Sequence, residues 1–240
     1  KEIGETHRLK QVWFNFPKKE ETDEYSVGEG NELTSLLLEI DGLSWNNNTS
    51  ELLGSTIEFG DIKLHVLAPD HDVAYENKPK EPDELGVRSD DWYIDLRTLI
   101  DNVDDDDIDE GGTNSQSIII LAECEGKKLL LPGDSTPKKL CDALQSYNKT
   151  NGTPLELDFM KLPHHGSTRN VTKNILNEVT CSNFIISTKK NNKYYFPNKE
   201  TIAKLIRYRD SADKAINVYF NYQESLDVLG ITAEELTENN

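Results

Sequence analysis

Two short segments of the 240-residue chain carry side chains that can do chemistry at this spacing. The first is Pro163-His164-His165-Gly166-Ser167, which closes the alternating run Leu155-Glu156-Leu157-Asp158-Phe159-Met160-Lys161-Leu162. Imidazole is the commonest protein metal ligand. The proline ends a strand ladder, and the glycine lets the chain turn and pass close to a ligand. The second segment is Lys127-Lys128-Leu129-Leu130-Leu131-Pro132-Gly133-Asp134-Ser135. Here too a strand ends in a tight turn, and the turn exposes a carboxylate. A histidine and an aspartate at neighbouring strand ends are half of the ligand set of a two-metal hydrolase, in which a single carboxylate can bridge cations about 3.5–4 Å apart. Asp134, His164 and His165 are therefore the candidate catalytic residues. Asp134 has an alternative role as an Asx-turn residue, and His164 one as a hydrogen-bonded structural histidine.

The elements that must position them follow from patterning. Val12–Phe16 reads as a strand closed by Pro17, and residues 31–40 as a helix with Leu33, Leu36, Leu37 and Ile40 on one face. Residues 56–59 and 63–67 flank Gly60-Asp61 as a hairpin. Residues 117–124 and 127–131 form a second hairpin around Glu125-Gly126. Helices are predicted from Pro137, over 172–179 and over 199–208, with another over 92–100. Residues 184–187 and 215–222 read as strands. Strand–helix alternation in the second half implies an α/β fold. The expected divisions are a first segment 1–69, a polar acidic insertion 70–113, a βα half 114–222 holding the metal motifs, and an acidic tail 223–240.

The motifs also occur in a telling order. Ile62–Pro69, Asn114–Leu121, Leu130–Asp134, Leu157–Ser167, and Phe184–Ser187 with Asn192–Pro197 match in turn "vLsP", "NNxSxVL", "LLTGD", "DvLKvpHHGS" and "aiIS…NxYgHP". In this the chain resembles the C-terminal part of metallo-β-lactamase-fold hydrolases, above all the hydrolase domain of ComEC-type DNA-uptake proteins, over about residues 55 to 210. The resemblance implies an αββα sandwich, two divalent cations (Zn or Mn), and hydrolysis of phosphodiesters. A nuclease acting on DNA, single strands included, with a role in bacterial defence, is the implied function. Relatives carry a ligand histidine in Pro-Gly-His-Gly. Its match is His165, a terminal ligand to the second metal, while His164 takes the preceding glycine's place and is a candidate donor to a substrate phosphate or an orienting group. Asn114 and Ser117 fall where many enzymes of the fold hold another ligand histidine; they are candidate contacts to water at the metals or simple turn residues. Ser167, Arg169 and Lys193 are the remaining candidate substrate contacts. Ser167 or Thr168 alternatively caps the helix that follows, and Arg169 alternatively lies on the open surface.

Two departures from the pattern matter. Phe196 stands where relatives have a histidine before the proline, so any phosphate-binding or acid role of that position is lost. The main metal motif H-x-H-x-D-H is absent. Lys1 lacks a preceding methionine and reads as mid-domain. The expected partner is therefore the N-terminal half of the same domain, docked as a separate chain, with Lys1 created by an activating protease or by the choice of fragment. The alternatives of another class are a small-molecule esterase of the same fold and a non-catalytic half that binds or regulates.

Composition bounds these readings. The formal net charge is −18, much of it in loops: Lys18–Glu24 is a mixed charge run, and Asp104–Asp107 with Asp109-Glu110 is an acidic block; such blocks are expected to be solvated. Between Lys161 and Phe220, eleven Lys/Arg face four Asp/Glu, so the histidine motif opens into basic sequence suited to a polyanion. The cysteines, Cys124, Cys141 and Cys181, are three and lack metal spacing, which fits a reducing cytoplasm. No apolar stretch is long enough for a membrane span, and no membrane partner is expected.

Overall fold

The chain divides into two units, Lys1–Leu53 and Gly54–Asn240. The computed structural model describes residues 11–13, 32–33, 35–40, 43–46, 49–69, 91–111, 114–152, 154–192, 194–209 and 215–238. The run 14–17, the charged run 18–24, His7, His71 and Lys193 lie outside the described residues, as do positions 70–90. In the first unit, β1 (Gln11–Trp13) pairs in parallel with β2 (Ser44–Asn46). Residues 35–38 are helical, with Leu37 buried.

The second unit is built on one mixed sheet. Its first hairpin joins β3 (Thr56–Phe59) to β4 (Ile62–Ala68) around Gly60-Asp61. Helix α1 (Leu96–Asp101) begins at Asp95, whose side chain accepts from the Thr98 amide at 3.0 Å. β5 (Ile119–Cys124) and β6 (Lys127–Leu131) form the second hairpin. Helix α2 (Pro137–Asn151) starts with proline at its first position and stops at Gly152. The run expected as one strand over 155–162 is instead two. β7 (Leu155–Glu156) pairs with β9 (Val179–Thr180) in a separate ribbon, and β8 (Phe159–Lys161) enters the main sheet. Between them Leu157 still donates to Thr180, whereas Asp158 already bonds to Lys128. Helix α3 (Lys173–Asn177), strand β10 (Asn183–Ile186), helix α4 (Lys199–Tyr208), strand β11 (Asn217–Phe220) and helices α5 (Gln223–Asp227) and α6 (Ala233–Glu238) complete the order.

The sheet runs β11-β10-β8-β6-β5-β4-β3. Strands β11, β10, β8 and β6 are mutually parallel; β6, β5, β4 and β3 alternate in direction. The fold is therefore α/β with a large mixed sheet. Leu121, Leu130, Met160 and Phe184 stand in register across four strands. All are at most 4% exposed and share one core with Leu140, Leu144, Ile175, Ile202 and Leu205 from the helices. Trp92, Leu96 and Ile100 join the same core, so the later part of the expected polar insertion is packed structure. The opposite face is less covered: Leu129 lies beside Phe159, and Ile185 beside Tyr219, with Phe159 and Tyr219 exposed and their rings 5.8 Å apart. Among the described residues no helix is long and apolar enough to cross a membrane.

Candidate metal and catalytic site

The site lies beyond the carboxyl ends of the parallel strands β6, β8 and β10, where open α/β sheets bind ligands. After β6 the chain turns through Pro132-Gly133 to Asp134, and contacts from several elements hold the turn. The Gly133 carbonyl accepts from the His164 amide and from the Lys161 ammonium, both at 3.1 Å. The Asp134 amide donates to Ser117 Oγ at 3.2 Å. Lys161 also donates to the Leu162 carbonyl at 3.2 Å. Burial lowers the pKa of its ammonium, and the nearby Asp134 charge acts in the opposite direction. The aspartate turn and the histidine turn are thus tied through one carbonyl.

After β8, Pro163 leads into His164, His165 and Gly166, with φ of 43°, 60° and 79°. Left-handed backbone at a residue with a side chain costs of order 1–3 kcal/mol and persists only where neighbours over-determine it. Here the His164 amide is held by Gly133, the Ser167 amide donates to the His164 carbonyl at 2.9 Å, and Thr201 Oγ1 donates to the Gly166 carbonyl at 2.8 Å. Both imidazoles consequently line one cleft of about 560 Å³, within the range of small-molecule and cofactor sites.

His165 Nδ1 lies 2.9 Å from the Ser187 carbonyl, just past β10. A carbonyl only accepts, so Nδ1 carries the hydrogen and Nε2 is left as an electron-pair donor. Nε2 is 3.7 Å from Asp134 Oδ2, and the two side chains are 44% and 40% exposed. That separation is too long for a hydrogen bond. It is near the edge of about 3.3 Å that two ligands span across a tetrahedral ion with bonds of about 2.0–2.1 Å. A backbone carbonyl on the far ring nitrogen is the usual support of a ligating histidine. The donor chemistry of this pair fits a divalent cation. Among the described residues no group of three or more His, Cys, Asp or Glu could hold a metal, so the pair offers one edge of a coordination sphere.

His164 belongs to a different network. Its Nδ1 lies 3.2 Å from Asn170 Oδ1 and 3.5 Å from Asp109 Oδ2. Asp109 is 5% exposed and accepts from Gly111 N, Asn114 Nδ2 and Asn170 Nδ2 at 2.8, 2.8 and 3.0 Å. Burial alone would raise its pKa, but hydrogen bonds from His164, Asn114, Asn170 and the Gly111 amide outweigh it and hold the carboxyl well below the usual range. Asp109, Asn170 and Lys161 escaped sequence reading. Asp109 sits in an acidic block whose composition marks every aspartate alike.

The other expected residues are placed as follows. Asn114 lines the cleft with its amide engaged by Asp109. Ser117 supports the Asp134 turn through its hydroxyl. Ser167 is buried at the cleft wall, and the capping role considered for it or Thr168 falls to Thr172, which accepts from the Ile175 amide. Arg169 is not a free surface arginine: it pairs with Asp107 at 2.9 Å and donates to the Ile108 carbonyl at 3.0 Å. The acidic block is correspondingly tied down rather than wholly solvated, with Asp105 paired to the fully buried Lys204 at 2.8 Å. Phe196 packs edge-on to His164 at 5.3 Å and lies 6.0 Å from Tyr194.

The fold and site together define an α/β protein with a His–Asp pair and a second, carboxylate-backed histidine at the sheet's carboxyl edge. No protein-family model matches the chain. Over 120 residues it is 28% identical to Recombination protein 2 of Haemophilus influenzae, a match covering 48% of this chain. The chain spans 14% of that protein's length.

Proposed function

We propose that this chain is part of a metal-dependent phosphodiester hydrolase acting on nucleic acid, DNA in the first instance. The observation that carries the reading is the His165 Nε2–Asp134 Oδ2 pair, 3.7 Å apart, with the histidine set as a ligand by the Ser187 carbonyl. Asp134 and His165 would hold the cations, Zn or Mn. Such cations, when bound, polarise the phosphate and make water a nucleophile at neutral pH. The chain's own residues orient the reactants: Lys161 and Ser117 fix the Asp134 turn, and Lys189, Ser167 and Asn114 on the cleft wall are contacts for the phosphate backbone. Similarity to a protein named for recombination supports a DNA substrate. The remaining ligands would come from a segment carrying H-x-H-x-D-H, in this protein or docked as a partner chain. A second sheet of an αββα sandwich would cover the half-exposed face bearing Phe159, Ile185 and Tyr219.

Cleavage of a labelled single-stranded oligonucleotide with added Mn²⁺ or Zn²⁺ tests this reading. Asp134→Ala and His165→Ala should each lose more than the roughly 10–100-fold that removal of a ligand's supporting contact costs. Activity within twofold of the parent in either variant would remove the assignment. Binding should weaken steeply with salt if the ligand is a polyanion; salt-independent binding would favour the small-ester alternative.

A further inference from the structure

We propose that Asp109 is a positioning residue that fixes His164 in one tautomer, with Nδ1–H turned inward and Nε2 left as an acceptor for the cleft. The proposal rests on reading this cleft as the functional site, but its test needs no turnover.

Asn170 Nδ2 donates both to Asp109 Oδ2 at 3.0 Å and to the Ser135 carbonyl at 3.1 Å. Turning that amide round would set its oxygen against two acceptors, so its orientation is fixed. Asn170 Oδ1 therefore faces His164 Nδ1, 3.2 Å away. With an amide oxygen there and the Asp109 carboxylate at 3.5 Å, Nδ1 must carry the hydrogen. Asn114 Nδ2 donates one hydrogen to Asp109 at 2.8 Å and comes within 3.4 Å of the same ring nitrogen; the Asn170 oxygen is the nearer partner of that nitrogen and, with the carboxylate behind it, favours the hydrogen on Nδ1. Asp109 thus orients both flanking amides and draws the ring hydrogen toward itself. A neutral ring so held has its lone pair on Nε2, and no described residue is hydrogen-bonded to that atom. Such a ring accepts from water or a hydroxyl in the cleft. While neutral it cannot donate to a phosphate oxygen, the role the sequence alone left open for it. His165 reaches the same tautomer by a separate route, the Ser187 carbonyl.

The experiment is long-range ¹H–¹⁵N correlation of histidine-labelled protein, at a pH where both rings are neutral. In the full chain His164 should show the Nδ1–H pattern. In Asp109→Asn, a variant of the same size, the Nε2–H form should rise to a comparable population, with His165 unchanged as internal reference. A merely structural aspartate would lower the melting temperature without moving the tautomer. An Nε2–H pattern in the parent, or an unaltered Nδ1–H pattern in folded Asp109→Asn, would overturn the proposal. Asn170→Ala, which keeps Asp109, should retain Nδ1–H even if Asp109→Asn fails to fold; loss of the tautomer there would assign the role to Asn170 instead.

Discussion

Lys204 shows how much of the site depends on single buried charges. Its ammonium is fully buried, donates to the carbonyls of Thr168 and Val171 at 2.9 and 3.1 Å, and pairs with Asp105 at 2.8 Å. These contacts pin the loop 168–171, which carries Asn170, to α4 and to the acidic block. Lys204→Met keeps the volume but leaves two carbonyls and a carboxylate without their cation. Removing one member of a buried charged cluster costs about 3–5 kcal/mol. Asp105 remains partly exposed, so the expected loss is about 3 kcal/mol, read as a lowered urea midpoint; a shift below about 1 kcal/mol would show that the cluster is structurally idle. At this scale the strand-end turns that present Asp134 and His165 were legible in the sequence, because proline and glycine flag each one. Asp109 and Lys204 were not. Their partners lie tens of residues away, and nothing local separates a buried aspartate or lysine from its solvated neighbours.

Helix α4 illustrates the same division among elements. Its apolar spacing defines it over 199–208, and the structure gives Lys199–Tyr208. Its amino end, however, is not closed by Asn198 at the cap position. Asp91 does so from a distant loop, its Oδ2 accepting from the Glu200 amide at 2.8 Å. Burial, opposed by backbone hydrogen bonds from Glu200 and Lys199, pushes the Asp91 pKa from 3.8 to about 6. A carboxyl with a raised folded-state pKa binds its proton more tightly in the folded chain. Its contribution is therefore greatest below pH 3.8, falls as pH rises toward 6, and is flat above that. The span corresponds to about 3 kcal/mol. Asp91→Asn, which cannot ionise, should flatten the decline between pH 4 and 6 in denaturation profiles compared with the parent; parallel profiles would contradict the assignment. The hairpins around Gly60-Asp61 and Glu125-Gly126 were legible because two-residue turns fix register locally. The break at Leu157-Asp158 was not. Alternation continues through it in the sequence, but the chain changes sheets there, so Met160 and not Phe159 turns to the core.

For the molecule as a whole, parallel strands on one side of β6 and antiparallel strands on the other set the site at the sheet's carboxyl edge. Strand–helix alternation made the α/β class legible. The strand order and the packing of residues 91–111 into the core depended on long-range contacts that no local pattern encodes. Under the proposed function, a further layer of protein would cover the sheet face with Phe159 and Tyr219 uppermost and would bring more metal ligands to the His165–Asp134 edge. Within the described residues, the proposed role of Asp134 and His165 is to form one edge of a divalent-cation site. Isothermal titration of Zn²⁺ or Mn²⁺ into the parent, Asp134→Ala, His165→Ala and His164→Ala measures it directly. The expected result is binding to the parent that is weakened at least tenfold, about 1.4 kcal/mol, in the first two variants and retained in His164→Ala. Absence of binding to the parent, or equal affinity in Asp134→Ala and His165→Ala, would contradict the account.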